Sequence, residues 1–143
     1  MLYIGIDCGV HTGFAVWDST SNDWVEVATL RLWKALARAK EYADKNDCTI
    51  IFEDARQRKW IPRESNESQY RGRLMGAGSV KRDAVIWEEF CKDNRIPYEA
   101  VPPIPGLTKW NEDYWQRVVD YSGKTSEHAR DAALLVWGKT PIR

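Results

Sequence analysis

Three apolar, strand-length runs fall within the first 32 residues, separated only by turn chemistry, and this spacing limits the possible folds more than any other feature. Leu2–Cys8 is apolar and ends in Asp-Cys-Gly, so it reads as a buried strand. Gly9–Gly13 turns the chain, and Gly13–Asp18 runs apolar again as a second strand. Ser19–Asp23 (STSND) is turn chemistry. Trp24–Leu32 alternates as a third strand. Together the three predict an antiparallel meander.

Helical and strand patterns alternate beyond it. Trp33–Lys45 is expected to be a helix, with Leu36, Ala39, Lys40 and Ala43 at helical spacing. Cys48–Phe52 is a β-branched run ending at Glu53-Asp54 and reads as a central strand. Gln57 to about Met75 is polar, basic and Gly-punctuated, which predicts a long loop. Ser79–Asn94 is expected to be a helix with Val80, Ala84, Trp87 and Cys91 on one face. Trp87 reads as core rather than as a dimer seam. Pro97–Val101 is a last strand and Pro102–Leu107 a Pro-rich connection. Trp110–Tyr121 and Ser126–Trp137 are expected helices, the second capped by Thr125 or Ser126. The order predicts an α/β fold in one domain spanning 1–143. Its mixed five-stranded sheet has three antiparallel strands, then two joined through helices, and helices flank it.

Composition excludes several classes. The chain of 143 residues is 43% hydrophobic and holds eight Trp, which is core material, not the make-up of a disordered segment. Cys8, Cys48 and Cys91 are odd in number and contain no C-x-x-C, against a disulfide framework or a four-cysteine zinc site. A reducing, cytoplasmic compartment is the expectation. No apolar run approaches the ~20 residues of a membrane helix. MLYIGIDCGV lacks the basic region of a signal peptide.

Net charge is zero, but its distribution is uneven. Between Ala55 and Asp83 stand Arg56, Arg58, Lys59, Arg63, Arg71, Arg73, Lys81 and Arg82, against the acids Glu64, Glu67 and Asp83. This stretch carries +5 and the remainder −5. Such an asymmetry suits a phosphate-facing side with an acidic site elsewhere, or a solvated basic loop.

Four residues form a candidate acidic site. Asp7 ends the first strand and Glu53 the fourth. His128 and Asp131 lie three apart near the start of the last helix and so share a face. Strand ends are where open α/β sheets bind ligands. Converged there, these groups would hold hard divalent cations and hydrolyse a phosphodiester, with Asp7 bridging two ions. Each also has a structural reading: Asp7 as a turn former, Glu53 as a solvated strand end, His128 as a first-turn residue. Asp131 stands among Ala129, Ala132, Ala133, Leu134 and Leu135, where a lone carboxylate is costly without a metal or a cationic partner.

These segments resemble a known family. YIGIDCGVHTGFAVWD resembles the first strand-turn-strand motif of RuvC-type Holliday junction resolvases. TIIFED resembles the second motif, with Glu53 in the catalytic position. LMGAGSVKRDAVI is similar to the opening of the next long helix. EAVPPIPGLTK is similar to the segment before a functional lysine, here Lys109. SEHARDAALLV resembles the closing motif with its H-x-x-D ligands. The pieces span almost the whole chain in family order.

The resemblance implies a ribonuclease H-like fold, a homodimer and two Mg2+ ions per site, with Mn2+ as a substitute. It implies paired nicks in opposing strands of a four-way DNA junction, leaving 5′-phosphate and 3′-hydroxyl ends. Asp7, Glu53, His128 and Asp131 carry over as metal ligands, and Lys109 as a contact to phosphate or transition state. Expected DNA contacts are Arg56, Arg58, Lys59, Trp60, Arg63, Tyr70, Arg71, Arg73, Lys81 and Arg82. Arg56 stands where the family often has an aromatic wedge, and Trp60 or Tyr70 is the alternative stacking residue. Cys8 replaces the usual Pro. A second family lysine has no match; Asp120 sits near its place, with Arg117 as a substitute.

Three other readings compete. One is a nuclease of the same fold acting on flaps, Y-forks or RNA hybrids. Another is a non-enzymatic DNA-binding module. The D-x-G-x-x-T-G turn also resembles that of actin-like ATPases, but those need two lobes to enclose a nucleotide. No membrane partner and no nucleotide cofactor are expected.

Overall fold

A computed structural model describes residues 1–57, 67–103 and 110–140; for 70 and 72–77 it describes the backbone alone. The elements in chain order are β1 (Leu2–Asp7), β2 (His11–Asp18), β3 (Asp23–Arg31), α1 (Leu32–Lys45), β4 (Cys48–Glu53), a 3-10 turn (Ala55–Gln57), α2 (Glu67–Asp93), β5 (Tyr98–Val101), α3 (Glu112–Val119) and α4 (Glu127–Val136). The strands form one sheet in the order β3-β2-β1-β4-β5. β3, β2 and β1 are antiparallel, while β1, β4 and β5 are parallel. The expected α/β architecture, a mixed five-stranded sheet flanked by helices, is present.

Strand periodicity divides the apolar residues between two cores. Leu2, Ile4 and Ile6 of β1 join Phe14, Val16, Ile50 and Phe52 on one face, under Ala35 and Ala39 of α1 and Ala84, Trp87 and Cys91 of α2. Tyr3 joins Ala15, Trp17 and Ile51 on the other, under Trp115 and Val119 of α3 and Ala132, Ala133 and Val136 of α4. β1 is covered on both faces, which is why its sequence is continuously apolar. Trp87 is fully buried, as its place on the helix face predicts.

The expected loop from Gln57 to Met75 is corrected in its second half. α2 begins at Glu67, twelve residues before Ser79. Glu67, Ser68, Gln69, Arg71 and Gly78 are exposed. In the sequence this stretch is polar and its glycines, poor helix formers, read as punctuation. α3 is shorter than expected: the Asn111 side chain accepts the Tyr114 N–H at its start, and Asp120 ends it at φ 55°. α4 is capped by Ser126, whose hydroxyl accepts the Ala129 N–H at 3.3 Å. Among the described residues no helix is long and apolar enough to cross a membrane.

Candidate functional site

Asp7 and Glu53 end adjacent parallel strands. Leu2 pairs with Cys48 and the register runs unbroken to Ile6 and Phe52. One further step sets Asp7 beside Glu53, on strands about 4.8 Å apart. Tyr3, Gly5 and Asp7 share a face by parity, as do Ile51 and Glu53, and this is the face that α4 covers. The Cys8 thiol donates to the Glu53 carbonyl at 3.7 Å and so links the two strand ends.

Two glycines bring α4 directly onto the sheet. A Cβ at Gly5 would lie 2.2 Å from the Ala132 carbonyl oxygen, and one at Gly13 would lie 1.9 Å from that of His128. Real side chains never approach backbone so closely, so glycine alone permits this crossing. Gly13 is the cross-strand partner of Asp7. The first turn of α4 is therefore held directly over the Asp7 side of the sheet.

As a result His128 meets Asp7, with Nδ1 2.9 Å from Oδ2. Side-chain exposures are 53% for His128 and 23% for Asp7. Burial raises the Asp7 carboxyl above the ordinary carboxylate value, the hydrogen bond and charge of His128 oppose this, and Glu127 reinforces it. When Asp7 is ionised, the Nδ1–H of His128 donates to it. Asp131 is partly buried three residues along α4. Glu53 and Asp131 each have an interaction partner of their own. Among the described residues, no three His, Cys, Asp or Glu side chains are gathered into a metal cage.

The turn after Glu53 is firmly anchored. Asp54 N–H donates to the Val101 carbonyl at 2.7 Å. Gln57 Nε2 donates to that of Ala100 at 3.0 Å. Arg56 Nε and Nη2 donate to the two Asp54 oxygens at 2.8 and 2.9 Å. Nη2 also donates to Glu88 of α2 at 3.0 Å. Arg56 holds both carboxyls below their ordinary values. Its charge is thus directed at Asp54 and Glu88 and is compensated within the chain.

Of the other expected DNA contacts, Arg71 and Arg82 are exposed and Lys81 is partly buried. Arg71 pairs loosely with Glu67 at 3.5 Å, and Arg82 donates to Ser79 at 3.2 Å. Arg58, Lys59, Trp60, Arg63 and Lys109 lie outside the described residues, as do the side chains of Tyr70 and Arg73.

Three features of the site escaped the sequence reading. Arg130 donates to the Trp110 carbonyl through Nε at 3.2 Å and to the Thr125 carbonyl through Nη1 at 3.0 Å. It thereby ties the residue after Lys109 to the start of α4, and a basic residue inside an alanine-rich helix was its signal. Glu88, one partner of Arg56, had none, because that pairing is tertiary; the other partner, Asp54, stands only two residues before it. Gly5 and Gly13 showed only as glycines within strand patterns, which mark close backbone approach.

Compared with models of known protein families and with curated proteins, the sequence matches none.

Proposed function

We propose that this chain is a metal-dependent nuclease of ribonuclease H-like fold that nicks opposing strands of four-way DNA junctions. The observation that carries the reading is the meeting of Asp7 with His128, 121 positions apart, at the carboxyl end of β1 and beside the end of β4 that bears Glu53. Ordered motifs, a sheet compatible with that fold and a basic stretch suited to phosphate support it.

The donor set fits hard cations in chemistry. Asp7, Glu53 and Asp131 offer oxygen, and His128 adds an imidazole that Mn2+ accepts more readily than Mg2+ does. A carboxyl pushed up by burial is a group whose ionised form a cation would favour. Asp7 and Glu53 would hold such ions from the sheet, and His128 and Asp131 from α4. Bound there, a pair of Mg2+ ions would neutralise the phosphodiester and lower the pKa of the attacking water. His128 would have to release Asp7 Oδ2 to share it, an exposed side-chain rotation that is fast.

The Asp7–His128 hydrogen bond also favours a second part for His128. With Nδ1–H on Asp7, Nε2 faces away from that contact as a proton acceptor, the arrangement of an oriented general base. His128→Asp separates the two parts: a ligand role survives the change in Mg2+, whereas a base role is lost.

Cleavage of a labelled mobile four-way junction in Mg2+, beside linear duplex, flaps, Y-forks and an RNA–DNA hybrid, tests the reading. Paired nicks in the junction alone, absent in Asp7→Asn, are expected. Preferred cutting of the hybrid or flaps would replace the junction substrate, and failure to cut any nucleic acid would overturn the reading.

A further inference from the structure

The sheet end that carries Asp7 continues past it toward β3. On the face of Asp7 the cross-strand row runs from Asp7 to Gly13 and on to Thr29. Two residues further out, about 7 Å along the strands, His11 pairs with Arg31 on the same face. Both side chains are exposed. Arg31 then leads into α1, whose first turn presents Trp33 at 69% exposure and Lys34, also exposed. Because β3 runs parallel to β1, α1 starts at the same end of the sheet as the Asp7 carboxyl.

A single exposed aromatic is ordinary on a protein surface. This one is flanked by two cations that, among the described residues, make no salt bridge. The next cations along α1 differ: Arg38 is held by Glu26 and Lys40 by Asp44. Indole faces stack on bases whatever their sequence, and paired cations on either side hold the backbone.

We propose that Arg31, Trp33 and Lys34, with His11 beside them, form a second DNA contact, in which an unpaired base stacks on Trp33 while Arg31 and Lys34 hold the neighbouring phosphates. The strip rests on the nuclease reading above and deepens it. It places a substrate strand on the β3 side of Asp7, opposite the side where α2 lies against β4 and β5. An opened junction offers unpaired bases at its centre; intact duplex does not.

Fluorescence anisotropy of a labelled four-way junction and a single strand, with Asp7→Asn protein in EDTA, tests this without requiring cleavage. Trp33→Ala is expected to weaken binding of both roughly tenfold, and Trp33→Phe to restore most of it. Arg31→Gln with Lys34→Gln is expected to lower the salt slope by about 1.5. Unchanged affinity and slope, where the protein with Asp7 intact cuts junctions in Mg2+, would overturn the strip and leave the nuclease reading standing. Loss of a dimer on sedimentation of Trp33→Ala, with DNA affinity intact, would make the strip a subunit contact and overturn it too. A parent protein that binds neither DNA overturns both.

Discussion

The backbone of His128 rests against Gly13, so closely that a Cβ there would stand 1.9 Å from its carbonyl oxygen and 2.9 Å from the Asp7 Cβ. This contact fixes the distance between α4 and the sheet, and with it the distance between the helix-borne and strand-borne halves of the site.

Gly13→Ala is therefore expected to lower stability by about 3 kcal/mol, since a backbone carbonyl cannot step aside as a flexible side chain would. Gly9→Ala is the control. Its Cβ would meet the His11 carbonyl oxygen at an ordinary 3.5 Å and should change stability little. Urea midpoints of the two variants give the comparison; equal midpoints would mean that α4 has room to shift.

Asp7→Asn is expected to leave the melting temperature at neutral pH unchanged or higher, while removing cleavage. Burial disfavours the charged carboxyl, and the amide removes that cost while still accepting from His128. A large fall in melting temperature would show that the charge supports the fold.

Arg56→Ala leaves Asp54, only 4% exposed, without its cationic partner and separates the turn after Glu53 from α2. A loss of about 1–3 kcal/mol is expected at neutral pH. The acid response also changes. Asp54 and Glu88 are held below their ordinary values of 3.8 and 4.5. Their contribution is complete above those values and is lost as pH falls through the lowered ones. Denaturation between about pH 5 and pH 2 should therefore be steeper in the parent than in Arg56→Ala. Parallel curves would mean that Arg56 does not set these carboxyls.

All three cysteines are buried. Burial raises the Cys8 thiol far above its ordinary value, and pushes Cys48 up to about 11 and Cys91 up to about 12. A thiol reagent at neutral pH should label none in the native protein and three in denaturant. Fast native labelling of Cys8 would reveal opening at the Asp7 end of the sheet.

Charge removal at Arg58, Lys59 and Arg63 is expected to weaken junction binding and flatten its salt dependence, because fewer counterions are released. An unchanged slope would show that this stretch does not touch phosphate.

Positions in the candidate site were legible in the sequence wherever a residue's own element fixed its place. Asp7 and Glu53 stood at the ends of apolar runs, and His128 and Asp131 stood one helical step apart. Arg56 was not legible. It counted as one more basic residue in a basic stretch; Asp54 stood two residues before it, but Glu88 became its partner only where the turn met α2. The start of α2 was hidden because the stretch is polar and carries Gly72, Gly76 and Gly78, residues that usually punctuate loops.

By itself the sequence determined the meander and the strand ends that carry Asp7 and Glu53. These follow from local periodicity, which is written residue by residue. Only the tertiary structure decided that His128 lies against Asp7, that Arg56 pairs with Glu88 and that Arg31 and Trp33 flank the same end. Those depend on how closely α4 and α2 pack and on where β3 delivers α1, distances that no local pattern encodes.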